Sequence, residues 1–335
     1  MGGCAVTDRA KSLVGICGAV LVVTGFACAA VSLALKATIP GERGTVSLAP
    51  GEAAELGKEM LVLKDFRVER YPSGKIRQYV SDVHIVTPGE GKAHHASISV
   101  NHPLRWGRYW LYQTAYDPNT ETTTVLTAVY DQWLPLAAVG GALLVLGSLL
   151  FGLTSFGNWP CRTCRLCSDS SCSTCSTRLN NNKKFLLWPR VLCGVTAVSV
   201  PLFIIGRAVL RPDPVPALQS PLMAPHVAAY AASYVVLLFA TFGVGKRLMP
   251  FGWFLMTLGL VLGALWGKIC WGDFWQYDPK EMWSFATWSV YAAYFAFRRN
   301  GIAERVLRFA GGVAIILTLT WVNFSKFFTG LHSYA

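Results

Sequence analysis

The chain has 335 residues, of which 53% are hydrophobic and only 14% are charged, and its mean hydropathy is +0.40. A soluble domain of this size does not need such long uncharged stretches, so the composition predicts an integral membrane protein. The net charge of +12 does not indicate nucleic-acid binding, because the basic residues sort with particular loops between the apolar stretches.

Apolar windows along the chain predict about seven membrane spans. A helix needs roughly 20 apolar residues to cross a bilayer. Four windows are clear: residues 12–35, 132–156, 225–245 and 248–267. Three shorter windows would need tilted neighbours or side chains that reach the interface: residues 191–206, 282–297 and 309–325. The expected fold class is mainly α, a polytopic membrane helix bundle.

Residues 37–130, between the anchor helix at 1–36 and the second membrane helix at 131–156, form the one predicted loop long enough for a domain. Five segments in it alternate or cluster β-branched and aromatic residues: FRVERY, YVSDVHIV, ASISV, YWLYQTAY and TTTVLTAVY. Turn sequences such as Pro72-Ser73-Gly74 separate these segments. A small extracytoplasmic β-domain of antiparallel strands is therefore expected.

The positions of the basic residues predict the orientation of the chain. Arg9 and Lys11 precede the first window, and the basic residues of segments 162–184, 246–247 and 298–308 fall on the same side of the membrane. Positively charged loops prefer the cytoplasm. The amino terminus is therefore expected inside, and the β-domain and carboxyl terminus outside.

Five of the ten cysteines lie close together in a predicted cytoplasmic loop, residues 157–185. Two Cys-x-x-Cys pairs could close a tetrahedral metal site; their residues are Cys161, Cys164, Cys172 and Cys175. The tight spacing and the Ser- and Asn-rich surroundings favour instead a disordered loop with reduced thiols. Cysteines in or beside the windows, such as Cys270, are interpreted as packing residues.

The segment WGDFWQYDPKEMWS, residues 271–284, concentrates large rings and charges between two apolar windows. An interfacial aromatic belt accounts for tryptophans such as Trp253 and Trp266. It does not account for the rings that share this loop with charged residues: Trp271, Phe274, Trp275, Tyr277 and Trp283. Asp278, Pro279 and Glu281 have the spacing of a capping box at a helix start.

Two of the six histidines flank this aromatic segment on the predicted outer side. His226 enters the window at 225–245, and His332 lies three residues from the end. One histidine near a helix end is usually an interfacial residue, but two imidazoles across an aromatic floor suit axial ligation of an iron porphyrin. Lys280 would then meet a porphyrin propionate. The other four are interpreted as surface residues of the β-domain: His84, His94, His95 and His102.

Together with SPLMAPHVAAY before it and GLHSYA after it, the aromatic segment resembles the WWD signature of CcsA (ResC) proteins of System II cytochrome c biogenesis. The segments LKDFRVERYPSGKIRQYVSDVHIV and ISVNHPLRWGRYWLYQTAYD resemble the ResB (CcsB) family. The chain is thus similar to a shortened ResB–CcsA fusion, with a CcsA-like membrane domain over residues 186–335.

The resemblance implies that His226 and His332 ligate haem iron while the WWD segment holds haem b. The residues expected at this site besides the histidines are Trp271, Trp275, Tyr277, Asp278, Lys280 and Trp283. Haem would be attached to a Cys-x-x-Cys-His apocytochrome c outside a bacterial inner membrane. Thiols add to the haem vinyl groups, so no catalytic nucleophile is expected, while a thiol-reducing partner or a further biogenesis subunit is.

Ala296 departs from the family pattern, since a histidine is expected in its place, and the first window has no histidine either. In the family, the histidines expected at these two positions are associated with an inner haem site. The sequence therefore does not decide whether haem passes through this chain. Three hypotheses about the function of the chain follow. It is a component of a holocytochrome c synthase, a non-catalytic haem-binding or transport protein, or a polytopic scaffold with an aromatic belt.

Overall fold

The structure, a computed structural model, describes residues 2–87, 89, 93–155, 212–241 and 246–324. Within these ranges the long helices are α1 Gly2–Thr38, α2 Leu134–Ser155, α3 Met223–Thr241, α4 Met249–Trp271, α5 Pro279–Phe297 and α6 Gly301–Phe324. The eight strands of the described residues all lie between α1 and α2. The chain is therefore mainly helical, with one β-region inserted between its first two helices.

In the part of the chain that the structure describes, four helical stretches are long and apolar enough to cross a membrane: Ser12–Thr38, Leu134–Thr154, Met223–Thr241 and Lys246–Trp271. They coincide with the four clear windows of the sequence. The window at 282–297 is helical, as part of α5, and so is the window at 309–325 as far as Phe324, as part of α6; neither is among these four candidates. The window at 191–206 lies outside the described residues. The protein is a membrane protein with four candidate spans among the described residues, and the count of about seven stays a prediction.

Helices α1 and α2 approach each other closely because glycines lie at their contact. A Cβ atom on Gly18 would lie 2.9 Å from the carbonyl oxygen of Gly147, and one on Gly25 would lie 2.8 Å from that of Gly140. Real Cβ atoms do not come this close to backbone. Small residues at these positions let the two backbones touch, as is common between membrane helices.

The strands form two antiparallel four-stranded sheets, ordered β1-β8-β7-β6 and β2-β3-β4-β5. The strands are β1 Glu42–Leu48, β2 Ala53–Leu56, β3 Glu59–Arg70, β4 Ile76–Val86, β5 Ala93–Ser99, β6 Leu104–Trp106, β7 Tyr109–Tyr116 and β8 Thr124–Tyr130. The five segments predicted from the sequence are β3, β4, β5, β7 and β8, so those predictions are confirmed. Strands β1, β2 and β6 were not predicted.

The two sheets share one hydrophobic core and form a β-sandwich. Leu63, Ile85 and Ile98 of one sheet are fully buried, and so, to within 1%, are Leu111 and Leu126 of the other. Alternating burial along each strand turns one face inward, which is the arrangement of packed sheets. The hydrophobic core of the sandwich thus consists of side chains from its own strands.

Helices α3 to α6 pack around a second core rich in aromatic rings. Trp253 of α4 stacks on Trp288 of α5 at 5.3 Å between ring centroids, and the Trp288 indole donates a hydrogen bond to the Thr257 hydroxyl at 2.9 Å. Phe26 of α1 stacks on Phe285 of α5. This core fixes the loop between α4 and α5 at the end of the bundle where α1 enters the sandwich.

Candidate functional site

The loop between α4 and α5 begins with a glycine that ends α4. Gly272 adopts a left-handed conformation, with φ of 87°, and its N–H donates to the carbonyl oxygen of Lys268 at 3.1 Å. A Cβ atom there would lie 3.2 Å from Tyr112 and 3.3 Å from Val129, both in the sandwich. Glycine is therefore suited to this position by both its φ angle and its small size.

The predicted capping box at the start of α5 is present. Asp278 accepts a hydrogen bond from the backbone N–H of Lys280 at 2.9 Å, and Glu281 accepts from the N–H of Asp278 at 3.3 Å. Glu281 also accepts from the N–H of Gln276 at 2.8 Å. These bonds hold both neighbours of Tyr277, whose φ of 58° is unusual for a bulky residue. The loop is therefore internally braced.

His226 lies on the first turn of α3 and is held by the backbone of α4. Its Nδ1 atom is 2.8 Å from the carbonyl oxygen of Gly259. Because a carbonyl only accepts, Nδ1 carries the hydrogen, and the lone pair of the neutral ring is on Nε2. A Cβ atom on Gly263 would lie only 2.6 Å from Cε1 of His226, so glycine makes room for the ring.

Trp266 connects His226 to the beginning of the loop. Its ring centroid lies 5.8 Å from that of His226 and 5.3 Å from that of Trp271. The Trp266 indole also donates to the carbonyl oxygen of Ala217 at 3.1 Å. The structure thus brings His226 and Trp271 together through a tryptophan that the sequence analysis assigned to an interfacial belt.

The other predicted site residues follow Trp271 along the loop and into α5. Trp275 meets Phe285 edge to face at 6.1 Å, whereas 65% of Tyr277 is exposed. Lys280 and Trp283 are half-buried on the first turns of α5. The remaining predicted residues, His332, Cys161, Cys164, Cys172 and Cys175, lie outside the described residues.

Asp273 is a buried carboxylate in this loop that the sequence analysis did not single out. It forms ion pairs with Lys36 at the end of α1 and, at 2.6 Å, with Arg43 of β1. Burial raises the pKa of Asp273, but the hydrogen bonds and charges of Lys36 and Arg43 outweigh burial and hold its pKa below the usual value. The partners are 237 and 230 residues away in sequence, so no local pattern indicates the contact.

The histidines of the sandwich form a separate group. His94, His95 and His102 are exposed, and His84 is half-buried. His84 faces its cross-strand partner His95 with ring centroids 3.9 Å apart. Among the described residues, no group of three or more His, Cys, Asp or Glu side chains could hold a metal ion.

Two families match different parts of the chain. A family described as ResB-like matches residues 9–150, and one described as Cytochrome C assembly protein matches residues 243–332. The first match covers most of α1, the sandwich and most of α2. The second covers α4 to α6, including the aromatic loop.

Similar proteins named cytochrome c biogenesis protein CcsA occur in plants and cyanobacteria. The Populus trichocarpa protein is 36% identical over 94 residues, 27% of this chain and 29% of the relative. The proteins of Prochlorococcus marinus strain MIT 9312 and Gloeobacter violaceus are 41% and 40% identical over 92 residues, 26% of this chain and 29% and 27% of the relatives. The matched part of the chain thus spans less than a third of these relatives.

Proposed function

Because the chain joins a ResB-like region to a cytochrome c assembly region, which fits a ResB–CcsA fusion, we propose that it acts in cytochrome c biogenesis. Its task is to present haem b at the outer face of a bacterial inner membrane for covalent attachment to a Cys-x-x-Cys-His apocytochrome c. The sandwich, the aromatic loop and the carboxyl terminus lie outside in this proposal, and the amino terminus lies in the cytoplasm.

The observation that carries the proposal is the fixed imidazole of His226. The hydrogen bond from its Nδ1 to Gly259 sets the tautomer in which Nε2 has the lone pair needed to bind iron. Trp266, which is 2% exposed, lies beside the ring and is followed by Trp271. A neutral imidazole beside indole rings suits a flat, largely apolar porphyrin.

The other residues of the site have complementary roles in this proposal. His332 supplies the second axial imidazole. The rings that contact the porphyrin or its edge are those of Trp271, Trp275, Tyr277 and Trp283. Lys280 meets a propionate, and Asp278 positions Lys280 by capping α5.

The protein's chemical contribution is to hold two reactants in position. Each thiol of the apocytochrome adds across a haem vinyl group: sulfur bonds to one vinyl carbon, and the thiol hydrogen ends on the other. The addition has no leaving group and needs no covalent intermediate with this chain. Orientation of the haem relative to the thiols is therefore the main source of rate enhancement. The thiols must be reduced, which calls for a thiol-reducing partner.

A second candidate function rests on Ala296. This residue lies near the end of α5 and is exposed, where the family pattern leads one to expect a histidine. A chain without that ligand could hold haem at the outer site without receiving it through the membrane. The second candidate is thus a non-catalytic haem-binding protein.

The test is co-expression of the chain with a Cys-x-x-Cys-His apocytochrome in a bacterial host without its own maturation system. We expect haem-stained cytochrome on a denaturing gel with the wild-type chain. We expect its loss with His226→Ala and with His332→Ala, because each removes an axial ligand. His102→Ala, an exposed histidine of the sandwich, is the matched control and should leave the yield unchanged.

The outcomes separate the candidates. If no cytochrome forms but the purified wild-type chain carries haem with two histidine ligands, the non-catalytic function replaces the synthase. A wild-type chain that purifies without haem contradicts both candidates.

A further inference from the structure

A cluster of five charged residues joins the aromatic loop to the first helix and the sandwich. This junction cluster consists of Lys36 of α1, Arg43 of β1, Asp131 at the end of the sandwich, Lys268 of α4 and Asp273 of the loop. Lys36 pairs with Asp273 and, at 3.1 Å, with Asp131. Arg43 pairs with the second oxygen of Asp273 at 2.6 Å. Asp273 thus receives one cation from each of two elements in the amino-terminal half.

The cluster also binds the backbone of the turn that follows α4. Arg43 donates to the carbonyl oxygen of Trp271 at 3.3 Å, and Lys268 donates to that of Gly272 at 2.7 Å. The side chain of Asp273 is 12% exposed, and Lys268 is 8% exposed. A carboxylate this buried is costly to leave unpaired, so the ion pairs of Asp273 hold the turn, and the hydrogen bond from Lys268 to Gly272 adds to them.

A neutral contact reinforces the same junction. The Cys270 thiol donates to the side-chain oxygen of Asn101 at 2.7 Å, and the Asn101 amide donates to the carbonyl oxygen of Pro216 at 2.6 Å. Cys270 precedes Trp271, whose ring contacts Trp266, the neighbour of His226. The sandwich therefore contacts the chain on both sides of Trp271.

We propose that Asp273 is a positioning residue: its ion pairs with Lys36 and Arg43 set the orientation of Trp271 and, through Trp266, the haem environment at His226. This proposal rests on the function proposed above. It assigns a role to the ResB-like part of the chain, which braces the haem site of the other part from outside the membrane bundle. Asp273 acts through the turn backbone and does not itself touch the haem.

The test compares full-length variants purified in detergent and co-expressed with the apocytochrome. In Asp273→Asn the two cations lose their shared carboxylate while the side chain keeps its shape. Haem occupancy and covalent cytochrome should fall by about 10-fold to 100-fold, the usual effect of removing a group that orients a ligand. The haem that remains should show a shifted Soret band and a shifted midpoint potential.

The control breaks a more exposed ion pair elsewhere on the sandwich. Asp82 pairs with Arg67 on the outer face, so Asp82→Asn removes one carboxylate without touching the loop and should behave like wild type.

A measurement without haem uses the thiol of Cys270, which is buried. Peptide-resolved alkylation of Cys270 should be faster in Asp273→Asn than in wild type, and unchanged in Asp82→Asn. If Asp273→Asn does not accumulate, Arg43→Gln replaces it, because its side chain is 48% exposed and the Lys36 pair remains. A smaller spectral shift in the same direction is then expected.

Two results would overturn the proposal, and they differ in meaning. If the wild-type chain binds haem and Asp273→Asn (or Arg43→Gln in its place) keeps the wild-type spectrum, potential and yield, the junction cluster has no positioning role and the proposed function stands. If the wild-type chain neither binds haem nor matures cytochrome, the proposed function fails and this inference fails with it.

Discussion

The imidazole of His226 is held by a main-chain carbonyl of a neighbouring helix. The Gly259 carbonyl that accepts from Nδ1 lies in the middle of α4. A second glycine one turn later, Gly263, leaves the space that the ring fills. The position of the proposed ligand therefore depends on two residues that have no side-chain chemistry of their own.

Gly263→Ala tests this dependence. The new Cβ would lie 2.6 Å from Cε1 and 2.8 Å from Nδ1 of His226, so the ring must move away from Gly259. We expect the haem content of the purified protein to fall about tenfold, as for other groups that orient a metal ligand, measured from its absorption spectrum. Gly141→Ala is the control. Gly141 lies in α2, and its Cβ would make only ordinary contact, at 3.4 Å, with Val261 of α4, the helix that contains Gly263. Equal haem content in both variants would contradict the dependence.

At the scale of elements, the packing of α1 against α2 is sensitive to side-chain size. Gly147→Ala would bring a Cβ within 2.7 Å of the backbone nitrogen of Val22. Because both atoms belong to helix backbones, the helices must separate, and the free energy of unfolding should fall by about 1–3 kcal/mol. The loss is measured as a lower midpoint of thermal unfolding in detergent, with the folded fraction at each temperature monitored by size-exclusion chromatography.

The matched control for Gly147→Ala is Gly152→Ala, also in α2. Its Cβ would lie 3.5 Å from the carbonyl oxygen of Pro250, an ordinary contact. The alanine should leave the midpoint unchanged or raise it slightly, because alanine favours helix more than glycine does. A lower midpoint in both variants would show that the sensitivity is general to α2 and not specific to the glycine contact.

Which strands the sequence predicted depends on their place in the sheets. Four of the five predicted strands, β3, β4, β7 and β8, have neighbours on both sides. The missed strands β1, β2 and β6 are all at sheet edges. Two of these have only four and three residues, and β1 is mostly exposed. Edge strands bury little surface, so their sequences carry a weak alternating pattern.

The candidate site divides in the same way between local and distant contacts. The capping box of Asp278 and Glu281 follows from spacing within one turn, and it was predicted correctly. Asp273 and Trp266 gain their positions from chain segments far away in sequence: Asp273 from Lys36 and Arg43, and Trp266 from Ala217 and His226. No periodicity records such contacts, so the sequence predicts neither the ion pairs of Asp273 nor the position of Trp266 beside His226.

At the scale of the whole molecule, charged contacts lie at the two ends of the helix bundle. The junction cluster ties the α4–α5 loop to the sandwich at one end. At the other end, Glu304 of α6 meets Arg308 at 3.1 Å and Lys246, just before α4, at 3.3 Å. Ion pairs thus connect different elements at both ends of the bundle. The sandwich and the proposed haem site lie at the same end.

Because the sandwich and the proposed haem site lie at the same end of the helix bundle, one measurement of the orientation of the chain in the membrane locates both of them. The basic loops near Lys246 and Arg299 predict that their end is cytoplasmic. In whole bacterial cells, a membrane-impermeant maleimide should label Lys58→Cys, in the exposed turn between β2 and β3, and should label Arg299→Cys only after the membrane is permeabilised. Peptide-resolved mass spectrometry separates both sites from the native cysteines. The reverse pattern would place His226 and the aromatic loop on the cytoplasmic side, where cytochrome c attachment at the outer face could not occur.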